Sequence, residues 1–233
     1  MFWERALLIA SGVLFGLYGL ACLFSPSIVA GYTGIRLPDA SAMTEVAAMY
    51  GGLQAGLGVL FAYSFTKRFT WASHLVLGLS LGGAPLGAWI AVTGGFAWPP
   101  VLLGLAVLLW VAGFDVIYAC QDYEHDVEVG LYSIPVRFGI DRALTISRIL
   151  HSAAVLVMAL VGTSAALGLI YWIGVGAIAA LLFYEHRLVR PDDLTRVNMA
   201  FFNLNAVISV LYLVITLADL IVLGESAALW RAS

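Results

Sequence analysis

The chain has 233 residues, of which 62% are hydrophobic and 11% are charged, and its formal net charge is −3. Charged residues make up about a quarter of an ordinary soluble domain, so the composition excludes that class. A mean hydropathy of +0.99 and apolar runs of about 20 residues indicate transmembrane helices. A membrane barrel is excluded, because its strands would alternate over short segments. We therefore expect an all-α, multi-pass transmembrane helical bundle.

Several apolar stretches are long enough to cross a bilayer, so about seven spans are predicted. In chain order they cover residues 6–25, 44–65, 72–93, 98–120, 143–162, 164–184 and 199–223. The pair Pro99-Pro100 suits the first turn of the fourth span, where a missing backbone N–H costs least. Four polar residues after the sixth span are expected to be solvated in a loop: Glu185, His186, Asp192 and Asp193.

The basic residues indicate how the spans are oriented. Alternating spans place nine of the 11 Lys and Arg residues on one side, namely Arg5, Lys67, Arg68, Arg137, Arg142, Arg148, Arg187, Arg190 and Arg196. Cytoplasmic loops carry the excess of Lys and Arg, so we predict a cytoplasmic N-terminus and an external C-terminus. We expect the inner membrane of a bacterial or archaeal cell, with the lipid bilayer as surroundings and no nucleic-acid partner.

Acidic residues are concentrated at the end of the fourth span. Residues 115–139 contain six of the chain's 25 charged residues. On a continuous helix, Asp115, Asp122 and Asp126 would lie within about 40° of one another. Neighbouring carboxylates are best tolerated around a cation, and Mg²⁺ commonly uses one or two carboxylates together with substrate phosphates. The hypothesis is that Asp122 and Asp126 hold Mg²⁺ against a diphosphate, that Asp115 lies deeper, and that Gly130 ends the helix.

Two other acids of this stretch, Glu124 and Glu128, are expected to be solvated. Asp115 has two open interpretations. It is a functional candidate, as intramembrane acids generally are, or it is hydrogen-bonded to Tyr118 or to a neighbouring helix.

Basic and amide side chains near the motif leave similar alternatives. Arg137 and Arg142 either bind phosphate, as guanidinium groups do, or serve only the positive-inside bias. Asn198 either contacts a ligand or, like other buried amides, cross-links helices. His74 and His151 have no metal-ligand companion at helical spacing and are expected to be packing or interfacial residues.

A specific resemblance follows from these residues. The pattern D-x5-QDYEHD-x3-G-x2-SIP-x-RFG resembles the second aspartate-rich motif of the UbiA superfamily of membrane prenyltransferases. Residues 67–94 and 184–209 resemble the flanking segments, so the likeness covers about residues 67–223 and the last five predicted spans. It is greatest to bacterial enzymes that prenylate 4-hydroxybenzoate or a hydroxynaphthoate in ubiquinone and menaquinone synthesis.

The resemblance implies a helical bundle with a central cavity. Two aspartate-rich motifs would bind Mg²⁺ and a polyprenyl diphosphate, and ionisation of the allylic C–O bond would give a carbocation-like species that the ring of an aromatic hydroxy acid attacks. By the same resemblance Asp122 and Asp126 are the catalytic Mg²⁺–diphosphate ligands. Asp115 and Tyr118 occupy matching positions of the same helix, and Arg137, Arg142 and Asn198 are further candidate substrate contacts.

The family's first motif, N-x3-D-x3-D, has no counterpart here. The first 114 residues contain no Asn and a single Asp, Asp39. We therefore predict two parts: residues 67–233 as the UbiA-like C-terminal half, and residues 1–66 as a two-helix segment that loosely resembles a family of small uncharacterised membrane proteins.

Two functions follow from this division. The first is a prenyltransferase that is impaired as a lone chain, or that a partner chain of unknown identity completes. The alternative is a non-catalytic remnant that binds a prenyl or lipid diphosphate. A CDP-alcohol phosphotransferase is excluded, because its Asp-Gly and Ala-Arg pattern is missing.

Overall fold

The computed structural model describes residues 2–25, 27–34, 36–37 and 40–222. Two stretches of π-helix, Ala47–Gly52 and Met199–Leu204, occur in this part of the chain. The described α-helices are α1 (Phe2–Phe24), α2 (Ser27–Thr33), α3 (Ala40–Val46), α4 (Leu53–Thr66), α5 (Ser73–Thr93), α6 (Trp98–Ala119), α7 (Tyr123–Val129), α8 (Ile134–Phe138), α9 (Ile140–Ser164), α10 (Leu169–Leu188) and α11 (Asn205–Val222).

The helices confirm the all-α membrane fold. Within the described residues, five helices are long and apolar enough to cross a bilayer: α5, α6, α9, α10 and the continuous segment Met199–Val222. They match the last five predicted spans, and Pro99 and Pro100 lie in the first turn of α6. The predicted span 44–65 falls on α3, the first π-helix and α4, which are helical without a break. Ala10–Cys22 and α2 form a pair bent by 106°, which is a sixth candidate span.

The end of α10 differs from the prediction. The sixth span was expected to stop at residue 184, but the helix continues to residue 188. Glu185 is therefore fully buried and His186 half-buried, whereas Asp192 and Asp193 are exposed as expected. The physical reason is tertiary: the last turn of α10 packs against His151 of α9, and this contact holds polar residues in a helix that their composition alone would end.

Helix α6 lies between α5 and α9, and glycines allow close packing on both of its faces. A Cβ atom on Gly82 of α5 would lie 2.5 Å from the carbonyl oxygen of Gly104. Such small residues let backbones approach within membrane bundles. On the other face, a Cβ on Gly113 would overlap His151, and the Ser147 hydroxyl donates a hydrogen bond to the Gly113 carbonyl at 2.7 Å.

An intramembrane acid, Asp219 of α11, caps the start of α10. Its two carboxylate oxygens accept hydrogen bonds from the backbone N–H of Gly168 at 2.7 Å and of Tyr171 at 3.2 Å. These donors belong to the first turn of a helix, where backbone N–H groups have no partner within the helix. Asp219 is therefore a structural residue.

The N-terminal helices pack onto this bundle. The rings of Phe15 in α1 and Phe61 in α4 stack with centroids 6.1 Å apart, and a Cβ on Gly58 would lie 2.6 Å from the Cα of Gly16. Helix α4 in turn packs against α5. Helix α4 also contacts the acidic stretch directly, because its Tyr63 is hydrogen-bonded to Asp115.

Candidate functional site

The acidic stretch is divided between two helices. Helix α6 ends at Ala119, and the backbone N–H groups of Cys120, Gln121 and Asp122 bond to carbonyls three residues earlier. This tight turn precedes α7, so the expectation of one continuous helix through the three aspartates is wrong. Gly130 ends α7 as predicted, with a φ of 74° that favours glycine.

Asp122 and Asp126 converge on one ammonium group. The Nζ atom of Lys67 lies 3.0 Å from Oδ2 of Asp126 and 3.5 Å from Oδ2 of Asp122. The Asp126 side chain is 2% exposed and that of Asp122 is 45% exposed, so one carboxylate is buried and the other faces solvent. Lys67 also fixes the chain beyond α7, because its carbonyl accepts a 2.6 Å hydrogen bond from the Tyr132 N–H.

Asp115 has different partners from this pair. Its carboxylate accepts hydrogen bonds from the Tyr63 hydroxyl at 3.1 and 3.3 Å, and its Oδ2 lies 2.6 Å from Nδ1 of His74. The Ile134 N–H donates to Nε2 of His74 at 3.3 Å. Since Nε2 accepts, the hydrogen of a neutral ring is on Nδ1, which donates to Asp115. Asp115 is thus hydrogen-bonded to the neighbouring helices α4 and α5, and not to Tyr118. Its functional role stays a prediction.

Tyr118 is part of an aromatic wall between α6 and the second π-helix. Its ring centroid lies 4.4 Å from that of Phe201. Phe114 is 5.2 Å from Phe201 and 5.7 Å from Trp110, both edge to face. All four rings are half-buried. The wall covers two turns of α6, on the N-terminal side of the turn at residues 120–122, which we call the acidic turn.

The remaining candidates lie apart from the two carboxylates. The Arg137 guanidinium lies over the rings of Trp71 at 6.0 Å and Phe138 at 5.7 Å. Arg142 is exposed in the first turn of α9, and Asn198 is exposed just before the second π-helix. In the part of the chain that the structure describes, none of the three contacts Asp122 or Asp126.

Three residues at the site were missed as site residues: Tyr63, Lys67 and His74. The sequence marks Lys67 only as one of the basic residues that indicate orientation, and it predicts His74 to be a packing or interfacial residue. Each is about 40 to 60 residues from its carboxylate partner, as the contacts Tyr63–Asp115, His74–Asp115 and Lys67–Asp126 show. No local pattern marks such a pairing. The only sequence signal is that intramembrane or membrane-flanking polar residues need a partner.

The donor set can be compared with the needs of Mg²⁺. Within the described residues, no cluster of three His, Cys, Asp or Glu side chains could hold a metal alone. Two carboxylates that flank one positive group are present, however, and Mg²⁺ is often held by one or two carboxylates plus substrate phosphates. Asp122 and Asp126 therefore fit the protein's share of a site that a diphosphate would complete.

Comparison with known proteins gives the family. The sequence model of the UbiA prenyltransferase family matches residues 4–207. A 4-hydroxybenzoate octaprenyltransferase of Marinobacter nauticus is 34% identical over 150 residues, which are 64% of this chain and 51% of that protein. One from Xylella fastidiosa is 32% identical over 165 residues, or 70% of this chain and 54% of that protein. The chain thus spans about half the length of these relatives.

Solved structures agree with the fold. A UbiA homologue from Aeropyrum pernix K1, solved in its apo form, has 26% identity and a TM-score of 0.64, covering 93% of this chain and 90% of that one. A digeranylgeranylglyceryl phosphate synthase structure has 20% identity and a TM-score of 0.63, with 94% and 87% coverage, and supports the fold alone. With a family match over most of its length and this shared fold, the chain belongs to the UbiA prenyltransferase family.

Proposed function

We propose that the chain transfers a polyprenyl group from its diphosphate to an aromatic hydroxy acid in quinone biosynthesis. The observation that carries the proposal is the convergence of Asp122 and Asp126 on the Lys67 ammonium. The names of the 4-hydroxybenzoate octaprenyltransferases from Marinobacter nauticus and Xylella fastidiosa support the acceptor class and a ubiquinone-type pathway. A hydroxynaphthoate acceptor, as in menaquinone synthesis, is the second choice.

The first task of the site is to bind the diphosphate. Asp122 and Asp126 would hold Mg²⁺, which when bound would neutralise charge on the diphosphate. The Lys67 ammonium offers three N–H donors to phosphate oxygens. Arg137 and Arg142 are proposed as further contacts, because both are exposed cations in the segment that follows α7; Asn198 is proposed as a contact from the start of the second π-helix.

The second task is to direct the reaction. When the allylic C–O bond breaks, its electron pair leaves with the diphosphate, and the prenyl fragment becomes positive. The faces of Tyr118, Phe114 and Phe201 can stabilise a cation nearby. The aromatic acceptor then forms the new C–C bond at a ring carbon, which loses its hydrogen as a proton. The wall also excludes water, which would otherwise react with the cation.

The experiment uses the full chain in membranes of a host without this activity. With Mg²⁺, 4-hydroxybenzoate and a polyprenyl diphosphate, we expect a prenylated acid detected by mass spectrometry. Asp122→Ala and Asp126→Ala should each lower the rate at least a hundredfold, an effect of the size seen on removing charge stabilisation. Glu128→Ala is the matched control, because Glu128 is an exposed acid on α7, and should retain the wild-type rate.

A non-catalytic function is the second candidate. It is favoured by one observation: the first 114 residues contain no Asn and a single Asp, so they lack N-x3-D-x3-D. It predicts no turnover with Mg²⁺ and either aromatic acid, while a labelled prenyl diphosphate still binds and Asp126→Ala weakens the binding. A chain that is merely impaired would turn over slowly and gain rate when a partner chain supplies the missing acids.

A further inference from the structure

A second group of polar side chains is buried between α6, α9 and α10, away from the acidic turn. It consists of Glu185, which is 0% exposed, His151, which is 2% exposed, and the half-buried His186. Nδ1 of His151 lies 3.0 Å from Nε2 of His186 and 3.6 Å from Oε2 of Glu185. We infer that these three side chains form a buried site that binds one proton, held by the Glu185 carboxyl group.

The hydrogen bonds of His151 fix its tautomer. Its Nε2 atom lies 3.2 Å from the carbonyl oxygen of Trp110, and a carbonyl can only accept. Nε2 therefore carries a hydrogen, and Nδ1 of the neutral ring presents a lone pair to His186 and Glu185. The His186 Nε2–H can donate to this lone pair, which leaves Glu185 without a donor.

Glu185 is the group that requires the proton. Among the described residues, neither of its carboxylate oxygens has a hydrogen-bond partner. An ionised carboxylate in such a place is strongly destabilised unless it is paired and hydrogen-bonded. The 3.6 Å separation from His151 is too long for a hydrogen bond, so an ion pair there would be poorly compensated. A neutral carboxylic acid avoids this cost.

The described neighbouring elements present no second buried acid to Glu185. The Arg148 cation would favour an ionised carboxylate, but its side chain is exposed and is therefore screened by solvent. Helix α9 contributes His151 and, one turn earlier, the exposed Arg148; α10 contributes His186; and α6 contributes the Trp110 carbonyl. The acid of α6, Asp115, is bonded to Tyr63 and His74 on other helices. No second buried acid faces Glu185 from these described groups, so the proton is not shared with another carboxyl group.

The bundle is shaped to hold the cluster. A Cβ atom on Gly113 would overlap the His151 ring, so glycine at this position admits the imidazole against α6. The Ser147 hydroxyl, one turn earlier on α9, donates a 2.7 Å hydrogen bond to the carbonyl of the same glycine. These contacts hold the His151 imidazole beside His186 and Glu185.

Infrared spectroscopy of the full chain in lipid bilayers tests the site. At neutral pH we expect the carbonyl stretch of a protonated carboxylic acid, absent from Glu185→Gln and retained in the control Glu128→Gln. Glutamine has the shape of the neutral acid, so the variant should fold. Identical wild-type and Glu185→Gln spectra in this region would overturn the inference.

Two further measurements complete the test: one identifies the band as glutamic acid in the wild-type protein, and the other asks whether a metal occupies the site. In wild-type protein with ¹³C-labelled glutamate carboxyl groups, the same band should shift to lower frequency; an unshifted band would contradict a glutamic acid. Two imidazoles and a carboxylate are chemically suited to zinc, although the described geometry does not bring three such groups into position around a metal. Stoichiometric zinc in the purified protein that is lost in Glu185→Gln would mean that a metal, not a proton, occupies the site.

Discussion

Lys67 places a positive charge where the candidate site would hold a cation. Its ammonium is the closest described positive group to the buried carboxylate of Asp126, at 3.0 Å. A tethered ammonium can keep two carboxylates together before substrate arrives, since it offsets their mutual repulsion. The same ammonium must share its donors with phosphate oxygens once a diphosphate binds.

This arrangement predicts that Lys67→Met destabilises the protein and that Mg²⁺ compensates. Removing one partner of a buried ion pair costs 3–5 kcal/mol. We expect about 3 kcal/mol here, because the Lys67 side chain is 22% exposed. Since binding to the folded state stabilises it, Mg²⁺ should raise the melting temperature of Lys67→Met more than that of the wild type.

The measurement is thermal unfolding of the full chain in detergent, with and without Mg²⁺. Arg68→Met is the matched control, because Arg68 is a neighbouring cation that lies over the Phe65 ring at 5.4 Å and has no described contact with the two carboxylates. Equal Mg²⁺ shifts in wild type, Lys67→Met and Arg68→Met would contradict the role of Lys67.

At the scale of single residues, the sequence identified the carboxylates of the candidate site but not the side chains that bind them. Asp122 and Asp126 were predicted as site residues because they are two acids four residues apart in a mostly hydrophobic chain. His74 was not, although it is fully buried and bridges Asp115 and the Ile134 N–H. Its two hydrogen bonds cross three elements, and a single histidine has no periodicity that could reveal them.

At the scale of helices, apolar length was sufficient to locate the last five of the seven predicted membrane spans. The five predicted spans after residue 70 correspond to α5, α6, α9, α10 and Met199–Val222, because a bilayer demands about 20 apolar residues with internal hydrogen bonds. The turn at residues 120–122 was not predicted, because a 3₁₀-type turn at the end of a helix has no signal in the amino-acid composition. The buried end of α10 was missed because Glu185 and His186 have the composition of a loop.

The close contact of α5 and α6 predicts opposite effects at adjacent glycines. In Gly82→Ala the new Cβ would lie 2.5 Å from the Gly104 carbonyl oxygen and 3.1 Å from Leu108 Cβ. The helices must separate, which costs about 1–3 kcal/mol for overpacking. In Gly83→Ala the Cβ meets nothing within 4 Å, and helix propensity should add up to about 1 kcal/mol.

Thermal unfolding of both variants, with substrate-free protein in one detergent, tests this pair. We expect a lower melting temperature for Gly82→Ala and an unchanged or higher one for Gly83→Ala. If Gly82→Ala melts like the wild type, the two helices tolerate a wider spacing, and close packing of α5 on α6 does not stabilise the bundle.

At the scale of the whole molecule, the two predicted parts are in direct contact. Tyr63, before the predicted boundary at residues 66–67, donates to Asp115, and Lys67, just after it, contacts Asp122 and Asp126. The family match also begins at residue 4. The division at residue 66 stays a prediction about origin, whereas the candidate site draws on α4 as well as on α5, α6 and α7.

The distribution of basic residues predicts the orientation of the bundle, and reporter fusions can measure it. If the predicted spans alternate, nine of the 11 Lys and Arg residues would share the side of Asp122 and Asp126. The positive-inside bias then predicts that both carboxylates face the cytoplasm, where a soluble aromatic acid and Mg²⁺ would reach them. A reporter inserted after residue 193 should be cytoplasmic, and one inserted between α5 and α6, after residue 95, should be external. The reverse result would contradict the orientation.

The predicted count of seven spans can be tested with a reporter at the C-terminus, which should be external. If both this reporter and the one after residue 193 are cytoplasmic, the orientation is correct and the count of seven spans is wrong.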